Sequence, residues 1–539
     1  MEQFGNERTG IFGRFPRTFW VANSIELFER WAWYGFYMLF ANYLTGTFEE
    51  GGLQFSQADK GIIMGVGTAI LYFLPVLTGS IADKYGYKKV LIIAFIVYIS
   101  AFIGMPLFKS FGGVFFIYLY LALGAALFKP IVSATVAKTT NDKTSSIGFG
   151  IFYMMVNIGG YFGPMLTLIF KGDPKLVFYI CAGFIALNFI MLFFYKEPDA
   201  ERLPKTSLRL ILDLLFTLIF SILLFVSVFA IFLAIWVIEL PVFFINYGEK
   251  LSARWSKLIL GLPIGDANKK VFENITGVFF ESKFITFLII VAGFWAMYNQ
   301  LYYTLPVFID QWVDTSAMFH FFEKNIPFIA SNYGTGGGQI QAEFITTFDA
   351  LYIIIFQIMV SALLMRLKPL HTMMIGFLVC SIGMSLTLVS QNPVFILVAL
   401  LVFALGEMAG SPKITEYIGR IAPEDKKGVY MGYSFIPVFL GNLFAGIISG
   451  AVYQAMSDKT SFVQLEAKEL GVSLNNNMTI NESFNLVAGK LNMSSGEFTH
   501  HLWNKYHPSG IWIVILGIGM VSVIALFIYN KLAFRSNSR

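Results

Sequence analysis

Ten residues early in the chain, Ile25-Glu26-Leu27-Phe28-Glu29-Arg30-Trp31-Ala32-Trp33-Tyr34, place two carboxylates and a guanidinium inside an otherwise apolar run. At helical spacing Glu26, Glu29, Arg30 and Tyr34 project to one side, so the acids can pair with the base or exchange a proton. At the centre of a bilayer each such charge costs roughly 2.5–3.5 kcal/mol, which confines these groups to a surface facing protein or water. Lys129, Asp349 and Glu407 interrupt later apolar stretches in the same way. The chemistry open to such groups is proton exchange and recognition of a charged solute. Arg30 can make a bidentate contact to a carboxylate, and Glu407 is a counter-ion for an ammonium.

Other chemistries find no support. No nucleophile–base set, metal cluster or cofactor loop is visible, so an enzyme is not expected, and no cofactor is. Gly334-Thr335-Gly336-Gly337-Gly338 lacks the Gly-Lys-Ser/Thr ending of a phosphate loop and reads as a flexible loop. Cys181 and Cys380 lie in apolar runs and suggest neither a disulfide framework nor a metal site. The histidines, His320, His371, His500, His501 and His507, all fall outside the first-half spans.

Composition sets the medium in which these charges sit. The 539 residues are 56% hydrophobic and 13% charged, about half the charge of a soluble domain, with a mean hydropathy of +0.68. The chain is expected to be a polytopic membrane protein. Its net charge of +5 is weak ground for nucleic-acid binding, and no nucleic-acid partner is expected. No cleavable signal peptide is visible, because Arg14 and Arg17 lead directly into the first apolar run.

Apolar runs long enough to span a bilayer lie near 18–45, 61–82, 89–108, 112–137, 146–170 and 175–195. A second set lies near 284–309, 344–366, 369–392, 393–419, 428–454 and 510–530. Two six-helix bundles, 1–197 and 284–539, are therefore expected, joined by a connector over 198–283. Lysines and arginines concentrate on the side of the N-terminus, so both termini are expected in the cytoplasm. The outer loops receive only Lys60, Lys109, Lys171, Lys175 and Lys324. The connector has to cross the membrane an even number of times. Its apolar run from about 208 to 247 suggests one extra span plus a second helix from Pro241 to about Leu262, or a long interfacial helix. Residues 455–509 form a polar outer segment, with glycosylation triplets at Asn477, Asn481 and Asn492 that polar loops also produce by chance.

Two six-helix halves with charges near the midplane suit an alternating-access transporter. The motifs go further. Glu26-x-x-Glu29-Arg30-x-x-x-Tyr34 resembles the first-helix motif of the proton-dependent oligopeptide transporters, within the major facilitator superfamily. Gly79 to Lys89 looks like that superfamily's loop between helices 2 and 3. Leu127-Phe128-Lys129-Pro130 and Gly150 to Gly159 resemble its fourth- and fifth-helix signatures, and Gly293-Phe294-Trp295-Ala296, Leu405-Gly406-Glu407 and Met431 to Asn442 fit helices 7, 10 and 11.

The resemblance implies an all-α integral membrane protein of the major facilitator fold, symporting di- or tripeptides with protons in a cell membrane as a monomer. Glu26, Glu29 and Arg30 would couple the proton. Arg30, Tyr34 and Lys129 would hold the peptide carboxylate, Glu407 and Asn157 the ammonium, with Tyr72, Trp295 and Asn299 lining the site. Tyr72 also fits a packing role. Asp83 would guard the cytoplasmic gate or simply end helix 2, and Lys413 with Glu416 reads as a gate or structural pair. The chain departs from the pattern at three places. Trp33 replaces a usual tyrosine, Asn299 stands where bacterial members often have an acid, and Asp349 lies in place of an Asn-Pro. Asp349 either replaces the missing acid or strengthens the ammonium site; its position near the outer third of its helix favours the second. Alternatives are transport of another small anion or zwitterion, and a sensor built on a transporter fold.

Overall fold

A computed structural model describes residues 15–49, 51–75, 85–140, 144–197, 281–364, 367–386, 392–423, 433–474 and 478–535, with isolated positions between. The connector and Asp83 lie outside the described residues, so the expectations for them stand as made. Twelve of the described helices build two bundles. The first holds α1 (Arg17–Thr45), α2 (Gln57–Phe73), α3 (Tyr87–Gly104), α4 (Phe111–Lys138), α5 (Ser145–Leu168) and α6 (Pro174–Phe194). The second holds α7 (Ser282–Tyr298), α8 (Phe348–Leu364), α9 (Pro369–Leu386), α10 (Pro393–Ile421), α11 (Ile436–Ile447) and α12 (Gly510–Arg535).

Local chemistry sets the helix starts. Ser56 accepts from the Asp59 amide at the head of α2, and Ser110 does the same for Gly113 at the head of α4. Asp173-Pro174 and Asn392-Pro393 open α6 and α10 with a capping side chain followed by a proline whose missing N–H costs nothing there. Among the described residues nine helices are long and apolar enough to cross a membrane. Phe116, Phe193 and Leu363 leave 76%, 82% and 73% of their surfaces exposed, the pattern of a lipid-facing belt, so the protein is multi-pass.

The seventh apolar run is a broken helix. It stops at Asn299, restarts as Gln300–Tyr303, and continues as Leu305–Trp312, where Pro306 supplies no N–H. Gln300 repairs part of the break: its Nε2 donates to the Ala296 carbonyl at 2.8 Å and its Oε1 accepts from the Thr304 hydroxyl at 2.5 Å. The eighth run is also interrupted, with a short helix Ala342–Thr346 preceding α8, and α11 passes through a π-helical turn, Ile448–Val452.

The halves meet most closely along α2 and α11. Gly61 and Gly65 face Gly446 and Gly450, the small-residue spacing that lets helix backbones touch in lipid. A Cβ on Gly61 would lie 2.2 Å from the Gly446 carbonyl oxygen, so side chains are excluded there. Beyond the face opposite the N-terminus, here called distal, five short helices cover the bundle ends: Ser316–Asn325, Pro327–Tyr333, Lys459–Glu469, Ile480–Lys490 and Ser495–Tyr506. The polar segment 455–509 is thus largely helical, closed by capping boxes at Thr479/Glu482 and Ser494/Glu497 and by stacking of Phe462 on Tyr506. The glycine loop expected to be flexible is folded. Gly334 bridges to Ile340, and the Gln339 side chain accepts from the Thr315 amide and hydroxyl.

Candidate functional site

One full turn of α1 carries the first-half cluster, because residues four apart on a helix stack on one face. Arg30 Nε lies 3.1 Å from Glu26 Oε1, and its Nη2 lies 2.5 Å from Glu29 Oε2. All three residues are buried, Glu29 completely. The other oxygen of Glu29 accepts from the Tyr98 hydroxyl of α3 at 2.5 Å. Charges out of water persist only when paired and hydrogen-bonded, and this cluster meets that condition at nearly every atom. The backbone makes room for it: a Cβ on Gly159 of α5 would lie 2.3 Å from Arg30 Cβ.

Tyr34 and Lys129 lie next to this cluster and its neighbour Tyr72. The Arg30 guanidinium carbon is 5.7 Å from the centre of the Tyr34 ring, and Lys129 Nζ is 4.0 Å from that of Tyr72. Tyr72 therefore touches a charged member of the site directly. Lys129 is also within electrostatic reach of Glu26. Asn157 spends its amide on the Tyr153 carbonyl one turn back, at 2.8 Å. Trp33 is buried against Phe36 and Tyr37 inside the first bundle.

The second half answers with acids. Glu407, near the middle of α10, accepts from the Tyr298 hydroxyl of α7 through Oε1 at 2.9 Å, while its Oε2 has no hydrogen-bond partner. Asp349, in the first turn of α8, is 3% exposed and leaves Oδ1 unpartnered. The two lie within electrostatic reach of each other, and Tyr34 of the opposite half lies within reach of Glu407. Asn299 is buried at the break of α7 with its Nδ2 unsatisfied. Trp295 packs its Cβ 2.3 Å from where a side chain on Gly441 would begin. Tyrosines line the seam between the halves, with Tyr37 of α1 against Tyr302 at 5.5 Å and Tyr303 at 6.3 Å between ring centres.

Lys413 and Glu416 form an ion pair at 2.7 Å near the end of α10, and Glu416 also binds Arg420. Both are partly exposed, away from the buried cluster. Among the described residues no group of three or more histidine, cysteine or acidic side chains is placed to hold a metal.

Several partners were not legible beforehand. Tyr98 and Tyr298 are two of 25 tyrosines, and nothing in the sequence marks them as ligands of buried carboxylates. Lys60, assigned to an outer loop, is fully buried in α2 and donates to the Tyr303 carbonyl of the other half at 2.9 Å. Lys171 reaches the fully buried Glu343 of the second half at 2.7 Å, and Asn42 of α1 donates to the same carboxylate at 2.9 Å. These bonds tie the halves together at their distal ends. Outside them a cleft of about 1560 Å³ opens under the covering helices.

Two pseudo-equivalent helical bundles with ionisable groups in the seam define a class, the solute carriers that bind at a bundle interface. The sequence model of the Major Facilitator Superfamily matches residues 24–313 and 315–464, and the chain belongs to that superfamily. It is similar to the peptide transporter YePEPT of Yersinia enterocolitica, with 22% identity over 79% of this chain and 86% of that one. It is likewise similar to the dipeptide and tripeptide permease A of Yersinia pestis, with 22% identity over 80% and 84%. Two solved structures share the fold. A POT family transporter in complex with 5-aminolevulinic acid superimposes with a TM-score of 0.63 at 17% identity, covering 97% of each chain. One in complex with a thioalcohol-conjugated peptide gives 0.63 at 18%, covering 98% of each.

Proposed function

We propose that this protein carries di- and tripeptides together with protons across a cell membrane by alternating access. The observation that carries the reading is the separation of charge across the seam. Arg30 and Lys129 stand on the first half, and Glu407 and Asp349 on the second, with tyrosines between them. That polarity suits a zwitterion whose carboxylate faces one bundle and whose ammonium faces the other. The names of the full-length relatives, which are peptide transporters and permeases, support the same choice.

In this reading Glu26 or Glu29 accepts a proton, which loosens the ion pair and frees Arg30 to take the peptide carboxylate. The same guanidinium cannot satisfy two carboxylates and a substrate at once, so proton and peptide are coupled through it. Lys129, Tyr34 and Tyr72 complete the carboxylate end. Glu407 and Asp349, with Asn157, Trp295 and Asn299 around them, form the ammonium end. The bundles 1–197 and 284–539 rock about this site, both termini lie in the cytoplasm, and the monomer is the working unit. Asp83, Lys413 and Glu416 serve the cytoplasmic gate. The closed distal bonds of Lys60 and Glu343 would have to open in each cycle.

Uptake of labelled dialanine into proteoliposomes tests the reading. A proton gradient with the outside acidic should accelerate uptake, and unlabelled dipeptides should compete. If neither the gradient nor the competitors make a difference, peptide symport is wrong. Because Asp349 adds a second acid to the ammonium end, single amino acids and amino acid-like zwitterions belong among the competitors. Stronger competition by them than by dipeptides would favour a smaller zwitterion as substrate.

A further inference from the structure

The two acids of the second half differ from those of the first in having no base. Glu407 and Asp349 are 7% and 3% exposed, and each keeps one carboxylate oxygen without a hydrogen-bond partner. Every element packed around them offers neutral groups. α1 presents Tyr34, α5 Tyr153, α7 Tyr298, the short helix Gln300–Tyr303 Tyr302, and α9 Cys380. Among the described residues no lysine or arginine lies within their electrostatic reach. Two carboxylates sharing one buried wall that carries no base repel each other when both are ionised. The wall therefore needs a cation, and its unpartnered oxygens are where that cation would sit.

We infer that Asp349 and Glu407 form a two-carboxylate site holding one proton in the empty transporter, and that the substrate's ammonium displaces this proton. The inference rests on the peptide reading above and deepens it. A proton held on one carboxyl neutralises it and lets it donate towards its neighbour. An arriving ammonium brings its own positive charge and three N–H donors, enough to meet both free oxygens. The displaced proton then leaves to the water that enters with the substrate, so charge in the wall is conserved. A single carboxylate could bind the ammonium without releasing anything. The second acid is what turns binding into exchange.

The consequence is that the two halves handle protons in opposite senses. Protonation of Glu26 or Glu29 frees Arg30 and favours peptide binding. Protonation at Asp349 and Glu407 competes with the peptide ammonium. Acid on the side of uptake would help the first half and hinder the second, and the net proton count per peptide would be smaller than the first half alone supplies.

Calorimetric titration of the purified, full-length protein with dialanine, in two buffers of different ionisation heat, counts the protons exchanged on binding. N-acetyl-dialanine, which has no ammonium, and the Asp349→Asn variant are titrated alongside. The expected result is that dialanine releases about one more proton from the native protein than N-acetyl-dialanine does, and about one more than it releases from Asp349→Asn. Equal proton counts for free and blocked peptide in the native protein would overturn the proposal. Should the blocked peptide not bind, equal counts for the native and variant proteins would overturn it instead. Glu407→Gln takes the place of Asp349→Asn if that variant does not fold. A native protein that binds no dialanine refutes the peptide reading itself, and this proposal with it.

Discussion

The charged groups of the two bundles solve the same problem in opposite ways. In the first, Glu26, Glu29 and Arg30 form a network of opposite charges in which Tyr98 satisfies the remaining Glu29 oxygen, although Arg30 Nη2 lacks a well-formed hydrogen bond. In the second, Asp349 and Glu407 share a wall of neutral groups and leave oxygens unsatisfied. In the proposed cycle the first arrangement is stable when empty and is opened by a proton. The second is incomplete when empty and is finished by a ligand. The difference shows why a count of buried charges says little about a transport site. What matters is which of them already have partners.

The comparison can be broken most decisively at Arg30. Arg30→Ala strands two buried carboxylates and should destabilise the protein by about 3–5 kcal/mol, seen as a lower thermal midpoint in detergent and loss of uptake. An unchanged midpoint would mean that the acids are neutral or hydrated and that the network is not what holds α1 in place.

A smaller effect is expected at the distal closure, where the buried Glu343 joins the halves alongside the Lys60–Tyr303 bond. Glu343→Gln keeps the shape and an acceptor for Asn42 but deletes the charge that Lys171 meets, and Lys171 can turn to water. A loss of about 1–2 kcal/mol from the distally closed state is expected. A cysteine placed in the seam should then react faster with a reagent added from the distal side. No change in reactivity would show that the Glu343 charge does not hold the closure.

The smallest effect sharpens the contrast with Arg30. Asp349→Asn removes one carboxyl of a pair that shares a proton and has no base, so stability should stay the same or rise by up to about 1 kcal/mol, even though an ionisable group is lost from the interior. Affinity for dialanine should fall while that for its N-acetyl form holds. A marked drop in the thermal midpoint would instead assign Asp349 a structural partner.

The site was legible in the sequence to an uneven degree. The α1 stripe could be read because its members are three and four residues apart, a spacing that fixes which side chains meet. Glu407 and Asp349 were conspicuous because carboxylates in apolar runs are costly, yet nothing local told which groups would face them. Lys60 is misread for the same reason, whereas Lys171 does lie in the turn between α5 and α6 and still pairs across the seam. A lysine at the edge of an apolar run looks like a loop residue until the partner, a carbonyl or a carboxylate from the other bundle, is in place. The broken seventh helix was also hidden, since Asn299 and Pro306 weaken a helix locally without stating whether tertiary contacts will mend it.

By itself the sequence determined the medium, the succession of apolar helices in two sets, and the chemistry of the α1 stripe. Those depend on composition and on the 3.6-residue period, which are local properties. Only the tertiary structure decided that the Gly61–Gly65 and Gly446–Gly450 faces close the distal end, that Tyr98 and Tyr298 serve buried acids, and that Asp349 and Glu407 share a wall without a base. Such pairings join residues tens to hundreds of positions apart, and their energies depend on burial and distance that no sequence window contains.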